Sequence, residues 1–390
     1  MTIKTLKIYI EPASLPLTYE LIDYVNNIEN ESVYSIILFQ RLKIDMTNIQ
    51  NGRTVFIDNV NDRLTLKLDS LAKFILGKPD ANIEIHTNIY REYDILYPLM
   101  KRITPETPFK KIKLHLYDDG TGTMLQRMAM GQVDEAIIKN SMPGRAKLLQ
   151  QHLTSNDNAR VWKWHYIDNY TWHYFMDTKY YLIQPKNNTM VKNSFITNLH
   201  KHTVPMDFNP QENIEIAMPE VWSHLFNTSN DLLIKLQKHA AEEQSFLLLT
   251  SNYMDREYKE QYKKSLISNI ILLQDSGKLP CASKIVYKGH SENVDLNQEI
   301  CQILGDNITI IPEGAPMEYF QMVGLLPKNV GGCFSTSMFS LYNKDIKFVF
   351  FNGTESDETN KLFLSLNDIY DCFSTERIIY LDEKKPATQF

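Results

Sequence analysis

Short apolar runs alternate with longer amphipathic runs along most of this 390-residue chain, and that rhythm restricts the fold more than any other feature. Leu6–Ile10, Tyr34–Phe39, Val55–Asp58, Ile83–His86 and Ile112–Tyr117 read as strands. Helical periodicity runs over Tyr19–Ile28, Leu64–Ile75, Glu92–Ile103 and Met124–Ile138. A strand followed by a helix of about a dozen residues, repeated, predicts a doubly wound parallel sheet. A second series follows, with strands at Ser245–Thr250, Lys284–Lys288, Ile308–Ile311 and Phe348–Phe351. Its helices are expected at Asn230–Glu243, Glu257–Leu273, Leu296–Leu304 and Met317–Val323. Between the series lies an irregular aromatic stretch holding Trp162, Trp164, His165, Tyr166, Trp172, His173 and Tyr174, which either packs a hinge or meets a ligand.

A chain of this length is long for one core, so two domains are expected, over residues 1–172 and 173–376, with 377–390 returning to complete the first. Two doubly wound α/β domains facing a central cleft make the GT-B architecture. Ligands of such sheets bind at the carboxyl ends of the strands, so both domains should turn those ends toward the cleft.

The formal charge of −6 leaves no basic footprint for nucleic acid, although Lys110, Lys111 and Lys113 could meet an anion locally. Four cysteines without CxxC spacing argue against a zinc site or a disulfide framework and read as reduced thiols. The amino terminus runs straight into a strand pattern, and no stretch reaches the roughly 18 apolar residues a membrane span needs. The expectation is a cytoplasmic protein, with peripheral attachment to the membrane left open.

Three polar segments lie where strands should end. In the first, apolar even positions and polar odd ones carry Lys111–Tyr117 into Asp118-Asp119-Gly120, with Gly120 free to adopt positive φ. Successive residues point oppositely, so one carboxylate can face a ligand as a base while the other bonds nearby backbone or caps the next helix. The same triplet is equally a plain turn and cap. In the second, Lys288-Gly289-His290 offers an imidazole to a leaving phosphate, or else a strand-end histidine bonded to a loop carbonyl. In the third, Gly331-Gly332 and Ser335-Thr336-Ser337 precede a short helix and form either an anion cradle or an ordinary capped turn. Glu318 could accept hydrogen bonds from vicinal hydroxyls or merely complement a helix dipole. Tyr253 could stack on a sugar, and His86 ends a strand in either a structural or an acceptor-facing role. P-loop, HExxH and GxSxG motifs are absent, as is any DxD triplet that would hold a nucleotide diphosphate through a metal.

In this order, Leu116-Tyr-Asp-Asp-Gly120, Tyr287-Lys-Gly-His290 and Gly324-Leu-Leu-Pro-Lys-Asn-Val-Gly-Gly332 form a specific signature. It resembles the Pasteurella-type bacterial sialyltransferases, glycosyltransferase family 80, and most nearly the Haemophilus-type members. The likeness runs from Ile8–Pro16 to Ser335 and Thr336. It implies a metal-independent, cofactor-free GT-B enzyme that moves sialic acid from CMP-sialic acid to a galactose-terminated glycan or lipooligosaccharide, with inversion. On that likeness Asp119 is the general base, with Asp118 as fallback, and His290 acts on the departing CMP. Lys288, Gly289, Gly332, Ser335 and Thr336 accompany His290 at the donor, while Glu318 grips its ribose. Tyr253 and His86 meet the acceptor. Two departures stand out: Ser291 follows the histidine where the family commonly has proline, and Tyr253 stands where a tryptophan is frequent. A CMP-Kdo transferase and a non-catalytic glycan or nucleotide binder are the rival readings.

Overall fold

The computed structural model describes residues 3–11, 14–40, 42, 44–45, 49, 51–58, 62–155, 162–163, 165–183, 193–208, 219–251, 256–332, 337–341, 346–351, 358–370 and 378–381. The chain divides into two compact units, one of residues 1–42 and 46–207 and the other of 43–45 and 208–390.

The first unit holds a seven-stranded sheet, β1 (Thr5–Glu11), β2 (Val33–Phe39), β3 (Thr54–Ile57), β4 (Asn82–Asn88), β5 (Ile112–Tyr117), β6 (Asp177–Leu182) and β7 (Thr203–Pro205). Its order is β3-β2-β1-β4-β5-β6-β7 and every pairing is parallel. The direction of winding reverses between β1 and β4, the place where sheets of this kind bind ligands.

The alternation seen in the sequence has an uncommon meaning here. Parallel sheets covered on both faces are usually apolar on both. In this unit Leu6, Ile8, Ile10, Ile83, Ile85, Leu114 and Leu116 pack with the helices Leu64–Leu76 and Tyr97–Ile103 in one buried core. The opposite face carries Lys7, Tyr9, Glu84, His86, Asn88, His115, Tyr117 and Tyr181, aligned by the register Tyr9↔His86↔His115. Helix Ser14–Asn27 lies against it and contributes Asp23.

The expected boundary after residue 172 is corrected: β6 and β7 join the first sheet, and the first unit continues to Asp207. Local pattern hid them because β6 reads Asp-Thr-Lys-Tyr-Tyr-Leu, without an apolar run, and β7 has three residues. Of the aromatic stretch, Tyr170 and Trp172 are buried in the core, and Trp162 packs against its edge. Trp164 lies outside the described residues.

The second unit has a six-stranded sheet, β8 (Phe246–Leu249), β9 (Ile285–Lys288), β10 (Thr309–Ile310), β11 (Asn329–Gly332), β12 (Lys347–Phe351) and β13 (Ile378–Leu381). Its order is β10-β9-β8-β11-β12-β13, again parallel throughout, with the reversal between β8 and β11. Taken from β8, this is the Rossmann order 3-2-1-4-5-6. The tail is therefore a second correction, because β13 pairs with β12 instead of returning to the first unit.

Gly331 and Gly332 lie within β11, not in the turn expected for them. A Cβ on Gly331 would overlap the Val349 carbonyl, and one on Gly332, at φ +128°, the Leu249 carbonyl. The strand is squeezed between two neighbours at its carboxyl end, and only glycine fits.

Candidate active site

The two acids of Asp118-Asp119 diverge because β5 alternates. Asp118 falls on the core side and is 0% exposed. Arg127, on the helix Thr121–Gly131, grips it with two nitrogens at 2.9 and 2.7 Å. It also accepts from the Thr123 hydroxyl and, at 3.0 Å, from the Ile183 backbone N–H. Arg127 in turn donates to the Ile183 carbonyl at 3.0 Å. Asp118 is thus a strut joining the ends of β5 and β6, and the fallback assignment as a base is withdrawn: both its oxygens are occupied inside the core.

Asp119 emerges on the polar side, half-buried. The Asn88 side chain, at the end of β4, donates to its Oδ1, and Thr123 Oγ accepts from its backbone N–H at 3.2 Å. Asn88 is itself buried and held from behind, since its carbonyl oxygen accepts from the Tyr90 N–H at 2.5 Å. Gly120 turns the chain at φ +104° and caps the next helix, the positive φ that the triplet implied. A carboxylate held at the carboxyl end of the sheet, one strand from the winding reversal, is well placed to take a proton.

His86 is not an acceptor contact. It is fully buried, its Nδ1 lies 2.8 Å from the Tyr117 hydroxyl, and its ring stacks on His115 at 4.2 Å. His115 Nδ1 pairs likewise with Tyr181 at 3.0 Å. Burial lowers both imidazoles, His115 to about 2, so both are neutral. Lys7 lies 2.8 Å from Asp23 and 3.0 Å from Glu84, and Tyr9 donates to Asp23 at 2.7 Å. Burial pulls the Lys7 ammonium down, but Asp23 and Glu84 outweigh it and leave it raised. Glu84, His86 and His115 bring ligand-type atoms within 4.8 Å of one another, as a metal site would. The Lys7 ammonium already supplies the positive charge that their carboxylate needs.

In the second unit, β9 ends at Lys288, and the loop after it is built around Asn297. Tyr287 donates to Asn297 Oδ1 at 2.8 Å, while Asn297 Nδ2 donates to the His290 carbonyl at 2.9 Å and to Glu313 at 2.6 Å. A side chain on Gly289 would overlap Asn297, which is why glycine precedes the histidine. The His290 N–H donates to Thr250 at 2.9 Å, joining this loop to the end of β8. His290 Nδ1 accepts from the Glu292 N–H at 3.3 Å, so the ring's hydrogen sits on Nε2 as a donor. Lys288 Nζ reaches the carbonyls of Gly289 at 3.2 Å and Glu313 at 2.7 Å.

Glu318 is 2% exposed near the start of the helix Met317–Met322. Its Oε1 accepts from Ser340 at 2.7 Å. Burial raises its carboxyl above the ordinary range, partly offset by Ser340 and by the charge of Lys288. Tyr253, Ser335 and Thr336 lie outside the described residues.

Asn88, Asn297, Thr250 and Arg127 escaped sequence reasoning. Asn88 and Thr250 carried a local signal, as polar residues at the end of a strand run. Arg127, Asn297 and Thr250 act across 7 to 40 positions of chain.

Among solved structures the fold is similar to that of the α/β-galactoside α-2,3-sialyltransferase of Photobacterium phosphoreum, with a TM-score of 0.71 at 17% identity over 97% of this chain and 98% of that one. The GT-B domain of the sialyltransferase from Photobacterium damselae gives 0.68 at 19% identity, over 96% and 99%. A 2,6-sialyltransferase of Photobacterium sp. JT-ISH-224, solved with the donor product CMP and the acceptor lactose, gives 0.70 at 18% over 97% and 78%. These likenesses show the GT-B fold. No match is found among curated proteins. A family model described as Sialyltransferase PMO188 matches residues 6–375, nearly the whole chain, and the protein therefore belongs to that sialyltransferase family.

Proposed function

We propose that this enzyme transfers sialic acid from CMP-sialic acid to a galactose-terminated glycan or lipooligosaccharide, with inversion at the anomeric carbon and without a metal ion. The observation that carries the reading is Asp119: of the paired acids it alone stays half-buried, oriented by Asn88 at the end of the sheet. Its carboxylate takes the proton of the acceptor hydroxyl as that oxygen bonds to the anomeric carbon. The bond to CMP breaks on the opposite face, so configuration inverts. Charge appears on the departing phosphate, and the Nε2–H of His290 donates to it, a contact that strengthens as the bond breaks. Glu318 accepts from the ribose hydroxyls, and Ser335 and Thr336 donate to the phosphate. CMP carries one phosphate, so neutral donors suffice where a diphosphate would call for a cation. The solved relative holding CMP and lactose supports the pairing of a CMP donor with a galactose-containing acceptor. Among the described residues no helix is long and apolar enough to cross a membrane. A cytoplasmic location, where CMP-sugars are drawn on, with peripheral attachment to the membrane left open, is part of the proposal.

The test is CMP release from CMP-sialic acid with and without lactose, in EDTA. Release stimulated by lactose, with sialyl-lactose as product, is expected. CMP binding without transfer to any galactoside, or transfer from CMP-Kdo alone, overturns the assignment.

A further inference from the structure

The first unit contains a cavity of about 710 Å³ that the reaction above does not use. That volume falls within the range of roughly 300–1,000 Å³ usual for small-ligand sites. Its walls are aromatic. Tyr90 and Tyr93 come from the segment after β4, Trp162 and Tyr166 from the aromatic stretch. The three tyrosines are 54%, 50% and 48% exposed, a concentration of open ring surface that marks an interaction site. Trp162 is held in place: the Arg145 guanidinium sits 4.4 Å over its ring, the His152 ring stacks at 5.4 Å, and its Nε1 donates to Asp168 at 3.1 Å. It is thus a fixed wall of the cavity, and the open ring surface is that of the tyrosines. Between the rings stand hydrogen-bonding groups, Gln126, Asn169 and Lys163, with amides and one ammonium but no carboxylate.

Open aromatic faces interleaved with amides suit a pyranose, whose C–H faces stack on rings while its hydroxyls bond to amides. The cavity also adjoins the proposed base. Tyr90 donates to Asn88, Asn88 donates to Asp119, and Gln126 lies on the helix that starts two residues after Asp119.

We propose that this cavity is an extended acceptor subsite, holding the sugars of an oligosaccharide beyond the galactose that receives sialic acid. This rests on the reaction proposed above, and it makes a longer glycan the preferred acceptor over a simple galactoside. The test compares Tyr93→Ala and Tyr166→Ala with the unaltered full-length protein, using methyl β-galactoside and a galactose-terminated tetrasaccharide. KM for the tetrasaccharide should rise roughly three- to tenfold in each variant, the size of one stacking contact, with kcat/KM for methyl β-galactoside within about twofold. Equal changes for both acceptors, or none for either, overturn the proposal. Saturation-transfer NMR of the tetrasaccharide without donor gives a reading independent of turnover. If no acceptor is sialylated, loss of the tetrasaccharide signal in the two variants sustains the subsite while the reaction fails, and an unchanged signal refutes the subsite.

Discussion

Replacing Arg127 by Met tests whether the two acids of the Asp118-Asp119 pair have separate duties. Asp118 is 0% exposed and its counter-ion is 4% exposed on its side chain, so removing the guanidinium leaves a carboxylate charge inside the core. Breaking one partner of a buried pair costs about 3–5 kcal/mol. For a unit of this size each kcal/mol lowers Tm by about 2–4 °C, so a fall of about 6–20 °C is expected in differential scanning calorimetry. The double variant Asp118→Asn/Arg127→Met has no orphaned charge and should recover at least about 1 kcal/mol over additivity. Assayed well below its Tm, Asp118→Asn should keep transfer within about tenfold, whereas Asp119→Asn should lose about a hundredfold or more. A cost below about 1 kcal/mol for Arg127→Met, or equal losses of transfer for the two Asn variants, would refute the division of labour.

Removing the amide that orients the base, in Asn88→Ala, should lower kcat about ten- to a hundredfold with donor KM nearly unchanged, as read by steady-state CMP release. Because burial raises the Glu318 carboxyl, the folded protein holds a proton that the unfolded chain has lost between the two pKa values, and stability falls as pH rises through that window. Above it, Glu318→Gln should therefore unfold at higher temperature while raising donor KM about tenfold, and a lowered Tm contradicts the buried-acid reading. The opposite limb belongs to His115, held down to about 2 by burial: its unfolded form gains a proton below pH 6.5 that the folded form refuses, so stability is lost as pH falls. His115→Phe should flatten that acid limb, by up to ~1.4 kcal/mol per pH unit, in denaturant titrations. Gly331→Ala puts a methyl on the Val349 carbonyl, and failure of the second unit to fold, seen as loss of CMP binding, is the expected result.

Most strands of both sheets, their parallel sense and the strand-end places of Asp118-Asp119-Gly120 and Lys288-Gly289-His290 were legible in the sequence because each rests on local periodicity, whereas β11 and β13 were not. Asp119 and His290 emerged from motif order, and their places at strand ends follow from where apolar runs stop. The boundary at Asp207 did not, since β6 and β7 carry no apolar run and become strands only through pairing with β5 and each other. The assignment of His86 to the acceptor failed for a related reason. A histidine at a strand end looks identical whether its face is covered or open, and the cover here comes from the helix Ser14–Asn27, some sixty positions earlier in the chain.

The alternation of Leu6–Ile10 and Ile112–Tyr117 determined by itself that these strands have one apolar and one polar side, because neighbouring side chains in extended backbone point oppositely. It determined equally that Asp118 and Asp119 must part company. The same parity sets Asp118 on the apolar side; that a carboxylate can rest there was decided only by tertiary structure, through Arg127 and Ile183, which close over it, while Asn88 orients the other. Charge is placed by its partners, and these partners meet only once the sheet has formed.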